Sequence, residues 1–134
     1  MRQRSYVFYL LSLTLIAILA MMTTACSDDD HSRVREEAKR CYEYLQEGKY
    51  EKFVGQIAYA DSMSEDYRSQ MIDVIAEYDA TMKQQHGQLV EISVTGDTII
   101  GEQAHVYLQL SYADSTSEEV GVPMVKVEKK WMMQ

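Results

Sequence analysis

The apolar positions of this chain change period halfway along it. Val34, Ala38, Cys41, Tyr42 and Leu45 recur at three- and four-residue spacing, which lays one apolar stripe along a helix. Ser32 or Asp30 can cap its start, and Gly48 suits the left-handed residue that ends it. A second, shorter helix carries Tyr50, Phe53, Val54 and Ile57 on one side. Ser62-Met63-Ser64-Glu65 fits a capping box and opens a third helix, whose stripe is Tyr67, Met71, Val74, Ile75, Tyr78 and Met82. Gly87 ends it.

From Val90 onward the period is two. Val90, Ile92 and Val94 alternate with Glu91 and Ser93, the pattern of a half-buried strand, and Gly96-Asp97 is a turn signal. Ala104, Val106, Leu108, Leu110 and Tyr112 alternate with His105, Tyr107, Gln109 and Ser111 in a long second strand. Asp114 to Ser117 is a polar turn. Val120, Val122 and Met124 begin a third strand that runs to about Val127, and Glu128-Lys129 turns into a short last strand, Lys130 to Met133. Helices first and consecutive strands after, joined by short links, predict an α+β domain. Its N-terminal helices pack on one face of an antiparallel sheet of about four strands.

The N-terminus has a different character. Arg2 and Arg4 precede an apolar run from Tyr9 to Met22, and Thr23-Thr24-Ala25-Cys26 follows. Small residues before a cysteine suit a peptidase that holds extended backbone, with the thiol then taking a lipid. The uncharged stretch is also close to the length of a bilayer-spanning helix, and a plain secretory signal has the same charge pattern. Ser12, Thr14, Thr23 and Thr24 shorten its strongly apolar part, and the cysteine sits where the cut would fall. The organisation expected is therefore a lipoprotein signal peptide over 1–25, a lipidated Cys26 with an acidic tether over 26–31, and a single domain over 32–134. Ser27-Asp28-Asp29-Asp30 resembles the acidic export tag that some Gram-negative bacteria place on lipoproteins bound for the outer cell surface. Outer-membrane attachment follows as the expected location, exposed at the surface or else on the periplasmic face.

Charge narrows the partners. The chain carries a formal net charge of −8, and the leader holds Arg2 and Arg4 but no acid, so its removal leaves the rest more acidic still. That balance argues against nucleic acid, whose phosphates it would repel, and against lying flat on an anionic bilayer. The lipid on Cys26 must hold the protein at the membrane. With Cys26 acylated, Cys41 has no intramolecular partner and reads as a buried, inert thiol.

Several stretches carry a family likeness. Ala38, Tyr42 and Leu45 lie on the first helix, and Gly48-Lys49-Tyr50-Glu51-Lys52-Phe53 opens the second. Val106-Tyr107-Leu108-Gln109-Leu110-Ser111-Tyr112 and Val122-Pro123-Met124-Val125-Lys126-Val127, with Trp131, fill the strands. Together they resemble small bacterial lipoprotein domains of unknown function in the nuclear transport factor 2-like, or cystatin-like, superfamily. The resemblance spans about residues 32 to 133. It departs at the last hairpin, where Glu128-Lys129 replaces the usual Asp-Gly or similar pair. It implies a curved, cone-shaped sheet wrapped around the helices, with a pocket possible at the wide end. Some members of the superfamily are enzymes and others only bind proteins or small molecules, so fold does not decide function.

Candidate chemistry is sparse. His105 and Tyr107 share one face of the second strand; lining a pocket, His105 could act as a base and Tyr107 as a hydrogen-bond donor. The opposite face is far more apolar and should pack on the helices, which leaves His105 and Tyr107 on a polar strand surface. The three histidines and the methionines after the leader show no ligand spacing, so no metal is expected, nor any cofactor. Asp28-Asp29-Asp30 lacks the alternation of a calcium loop. Tyr44 and Tyr59 fall off the apolar stripes, and an exposed pair would mark an interaction face. The reading that results is a lipid-anchored envelope domain that binds or assists without catalysis. The alternatives are a cone-fold enzyme using His105 and Tyr107, or a structural module that dimerises through its sheet. The partner protein and any small-molecule ligand are left open.

Overall fold

The structure, a computed structural model, describes residues 27–134; the expected signal peptide over 1–25 and the lipidated Cys26 lie outside the described residues. The chain divides between Asp30 and His31. Of the first unit, residues 27–30 are described, and they are helical. Helix α1 runs over Ser27–Gln46, so the stretch read as a polar tether forms a first helical turn. Asp28, Asp29 and Asp30 fall in that turn, where negative charge offsets the positive end of the helix dipole.

The unit His31–Gln134 holds the domain. After α1 come α2 (Tyr50–Gly55), one 3₁₀ turn (Ala60–Ser62) and α3 (Glu65–His86). Four strands follow: β1 (Leu89–Ile100), β2 (Gln103–Tyr112), β3 (Ser117–Val127) and β4 (Lys130–Met133). They form one curved antiparallel sheet in the order β1-β2-β3-β4. The α1 stripe of Val34, Ala38, Cys41 and Leu45 is buried, together with Val106, Leu108, Leu110, Val122 and Met124 on the inner face of the sheet. On β2 burial alternates at every residue from Gln103 to Leu110, as the period-two pattern requires.

Three details depart from the sequence pattern. Gly96-Asp97 is not a turn. β1 continues through it to Ile100, with a bulge between Val94 and Gly96, and the reversal comes at Gly101, whose φ is +62°. One extra residue moves the alternation by one. Val94 pairs with the inward Leu108; past the bulge Gly96 pairs with the outward Tyr107, and Asp97 with the inward Val106. The bulge thus swings an aspartate onto the inner face.

The second departure is the cap of α3. Ser64, not Ser62, is the N-cap, and its side chain accepts from the Tyr67 amide at 3.2 Å. The third is the rotation of α3. Tyr67, Val74 and Tyr78 are exposed, whereas Met71, Ile72, Ile75 and Met82 pack at the edge of the core and Asp79 is the buried residue of this helix. The expected stripe is therefore turned toward Ile72 and Asp79. Gly87 ends α3 as expected, at φ +79°, and a Cβ there would lie 2.9 Å from Ala113 Cβ.

β4 is tied down on its outer side. Met133 and Ile57 form a parallel bridge; the Met133 amide donates to the Gln56 carbonyl at 2.9 Å, and the Ala58 amide donates to Met133 at 2.7 Å. The Glu128-Lys129 turn forms as the pattern predicted, with both residues left-handed at φ +49° and +67°. That is the two-residue primed turn whose twist matches the strands.

Candidate functional site

The strongest polar cluster lies where α2 meets α3. Asp79 is 6% exposed and is the only charged residue in the buried class among those described. Tyr50, the first residue of α2, donates its hydroxyl to Asp79 Oδ2 at 2.5 Å. Lys83, one turn along α3, places Nζ 2.9 Å from the same oxygen. Chain geometry explains the meeting. Gly48, at φ +73°, ends α1 in the left-handed region, and the chain re-enters a helix two residues later with Tyr50 facing α3. Residues four apart on α3 share a face, which brings Lys83 over Asp79. The Tyr50 hydroxyl is held above its ordinary pKa, first by the bond to the Asp79 carboxylate and then by burial. Lys83 is raised as well, chiefly by its own bond to Asp79. Tyr50 thus stays a donor and Lys83 a cation at neutral pH, and a buried carboxylate is matched from two sides.

An open cleft of about 310 Å³ adjoins this network, lined by Gly48, Lys49, Tyr50, Glu51, Lys52 and Ile72. Tyr50 belongs to both the cleft and the network. Its bond to Asp79 fixes one wall, Ile72 supplies an apolar patch, and the rim carries charges of both signs, Lys52 and Glu51 with Lys49 paired to Glu47 at 2.5 Å. Lys52 also stands 5.7 Å from the Tyr44 ring centroid. Tyr44 therefore packs beside the cleft against the core, while Tyr59 is 65% exposed; the two do not form one exposed face.

A second cluster sits under the start of the domain's share of α1. His31 Nδ1 and the Arg35 guanidinium both bond the Asp97 carboxylate, one at each oxygen. The Asp97 side chain is completely covered. Burial pushes its pKa up, but the bonds from His31 and then Arg35 outweigh burial and hold it below the ordinary 3.8. Since the β1 bulge aims Asp97 inward, the cluster fastens α1 to the sheet. A third set joins the end of α3 to the β2–β3 turn. Asp114 bonds Thr116 Oγ1 at 2.5 Å and His86 Nδ1 at 2.9 Å, and the Thr116 bonds lead in lowering its pKa to about 2.

The residues singled out in the sequence stand elsewhere. His105 and Tyr107 are on the outer face of β2, Tyr107 38% exposed, and neither lines the cleft. Tyr107 pairs with Gly96 on one side and Gly121 on the other, so its ring lies over glycines of both neighbouring strands. Cys41 is buried and its thiol is pushed up to about 12, mainly by that burial. Burial likewise raises Tyr42 to about 12. Asp79 and Asp97 escaped sequence reasoning. The signal for Asp79 was Lys83 four residues on, at the flank of an apolar stripe. Asp97 was masked by the glycine before it, which reads as a turn.

No protein-family model matches the chain, and neither does a curated protein. Two solved structures match the chain. One is a Campylobacter jejuni protein described as an NTF2-like transpeptidase, 17% identical, with a TM-score of 0.61 over 80% of this chain and 97% of that one. The other, a SEC-C motif containing protein from Rhodopseudomonas palustris, is 12% identical with a TM-score of 0.45, covering 69% of this chain and 68% of that one. The first likeness establishes the fold alone: helices followed by a curved four-stranded antiparallel sheet of the NTF2-like kind.

Proposed function

We propose that this is a lipid-anchored domain of the bacterial cell envelope that binds a partner through the α2–α3 cleft, without catalysis. The observation that carries the reading is Tyr50, which walls the cleft and is locked by the buried Asp79. A side chain fixed from behind gives a binding surface its shape at little entropic cost. The inner face of the sheet supports the same reading, because Val106, Leu108, Leu110 and Met124 fill it. Anchoring rests on the leader and on Cys26.

A photo-crosslinking residue in place of Lys52, in the lipidated protein on intact cells, should capture a partner. Cys26→Ser should lose both radiolabelled palmitate and that adduct. Equal palmitate labelling of parent and mutant would remove the anchor from the reading. A second reading, a homodimer through the sheet, is favoured by the exposed Tyr107, whose ring lies between Gly96 and Gly121 on the outer face. A crosslinker at Tyr107 that yields dimers, with none of the Lys52 adducts, would replace the first reading with the second.

A further inference from the structure

The β3–β4 turn borders another cleft, remote in sequence from the α2–α3 site. It has a volume of about 120 Å³ and is lined by Arg33, Glu36, Glu37, Lys129, Lys130 and Trp131. At the share of volume a water takes in the liquid, this holds about four waters, or one carboxylate with a carbon or two.

Three independent observations meet here. First, the Trp131 Nε1–H is buried and has no acceptor among the described residues. A buried indole N–H nearly always has one, and an orphan calls for a physical reason. Second, Glu128 and Lys129 are both left-handed although neither is glycine. A turn of this type costs nothing with Asn-Gly, so the chain holds backbone strain where it presents Lys129 and Lys130. Third, Glu36, Glu37, Lys129 and Lys130 form no ion pair among the described residues. These four charges, two of each sign, are gathered at one small cavity and not committed to one another.

We propose that this cleft binds a small carboxylate-bearing zwitterion, of the size and chemistry of a free α-amino acid. The Trp131 Nε1–H donates to one carboxylate oxygen, and Lys129 and Lys130 neutralise its charge. Glu36 and Glu37, one residue apart on α1, receive the ammonium. This pairing satisfies the orphaned donor and matches both signs of charge in the lining. The indole N–H is covered in the structure, so the β3–β4 turn beside it yields as the ligand enters. Strain held in that turn lowers the cost of the movement.

The chain has a single tryptophan, so a ¹⁵N-labelled sample gives one indole N–H resonance. Titrations with glycine, sodium acetate and methylammonium chloride at constant ionic strength should differ. Glycine should move the resonance saturably, acetate more weakly, and methylammonium not at all. Lys129→Gly should weaken glycine binding about tenfold, the worth of one charge-assisted bond. The same change should raise the urea midpoint, because glycine adopts a φ of +67° without strain. Weaker binding in a more stable protein cannot come from damage to the fold. A resonance that stays still, or drifts linearly with every salt, overturns the proposal and leaves a water-filled cleft. Undiminished glycine binding by Lys129→Gly overturns the role given to the turn.

Discussion

Replacing Trp131 tests the core and its flaw together. The residue is 2% exposed. A buried aromatic side chain removes roughly 150–250 Å² from water, which at about 25 cal/mol per Å² amounts to ~4–6 kcal/mol. A compact denatured state already hides part of that surface, which leaves about 3–5 kcal/mol, the range found when buried aromatics become alanine. Against this stands the unpartnered Nε1–H, whose desolvation costs about 1–3 kcal/mol in the parent protein. Trp131→Ala removes both terms and should cost about 2 kcal/mol, the difference between their midpoints. Trp131→Phe keeps most of the apolar area and discards only the orphaned donor, so its stability should lie within about 1 kcal/mol of the parent. Urea melts followed by far-ultraviolet circular dichroism, in ligand-free buffer, measure both without the indole as probe. If phenylalanine destabilises as much as alanine, the indole nitrogen is satisfied and the reasoning fails. An alanine midpoint near that of the parent would remove Trp131 from the core altogether.

Other consequences follow from the described side chains and the leader. Asp28, Asp29 and Asp30 replaced together by alanine should leave lipidation intact and abolish protease accessibility on whole cells; unchanged shaving rejects the export tag. Asp79→Ala should cost about 1–3 kcal/mol by stripping Tyr50 of its acceptor, with Lys83 adding little because its side chain remains partly solvated. A loss near zero in the same urea melts would show that the network does not hold the cleft wall. The folded pKa of Asp97 is lowered, so its contribution is present above the unfolded value near 3.8 and is lost as pH falls through the folded one. Asp97→Asn should therefore lower stability at neutral pH and flatten the loss of stability below about pH 4; parallel acid titrations of the two proteins would contradict this.

Much of the fold was legible because burial here is one-sided. The α1 stripe and the β2 alternation each present one apolar face to a single core, and period alone identifies both. The last hairpin was legible from the brevity of its link, although Glu128 and Lys129 are poor residues for left-handed positions. What escaped notice depends on contacts between elements. The apolar stripe of α3 predicts a buried face, yet Tyr67, Val74 and Tyr78 on it are exposed. The partner of this helix is mainly α2, a helix of six residues, so only a narrow strip of α3 can be covered. Within that strip the buried position belongs to Asp79, because Tyr50 arrives from α2 with a hydroxyl to bond it.

The candidate sites lie away from the residues to which the sequence points, again because of contacts between elements. His105 and Tyr107 attract notice because they are polar residues in a strongly alternating strand, but alternation is itself the reason they face outward. A site on the inner face needs a polar residue at an inward position, and strict alternation forbids one. The chain admits one by breaking the period: the extra residue between Val94 and Gly96 resets β1 and delivers Asp97 beneath His31 and Arg35. On a helix the corresponding device is an acid at the border of the apolar stripe, and Asp79 occupies that border on α3. In both places the buried carboxylate marks the point where the local pattern gives way, and in both the cations that match it come from helices. Charged residues at breaks in periodicity, more than those displayed along regular strands, are where the chemistry of this fold is concentrated.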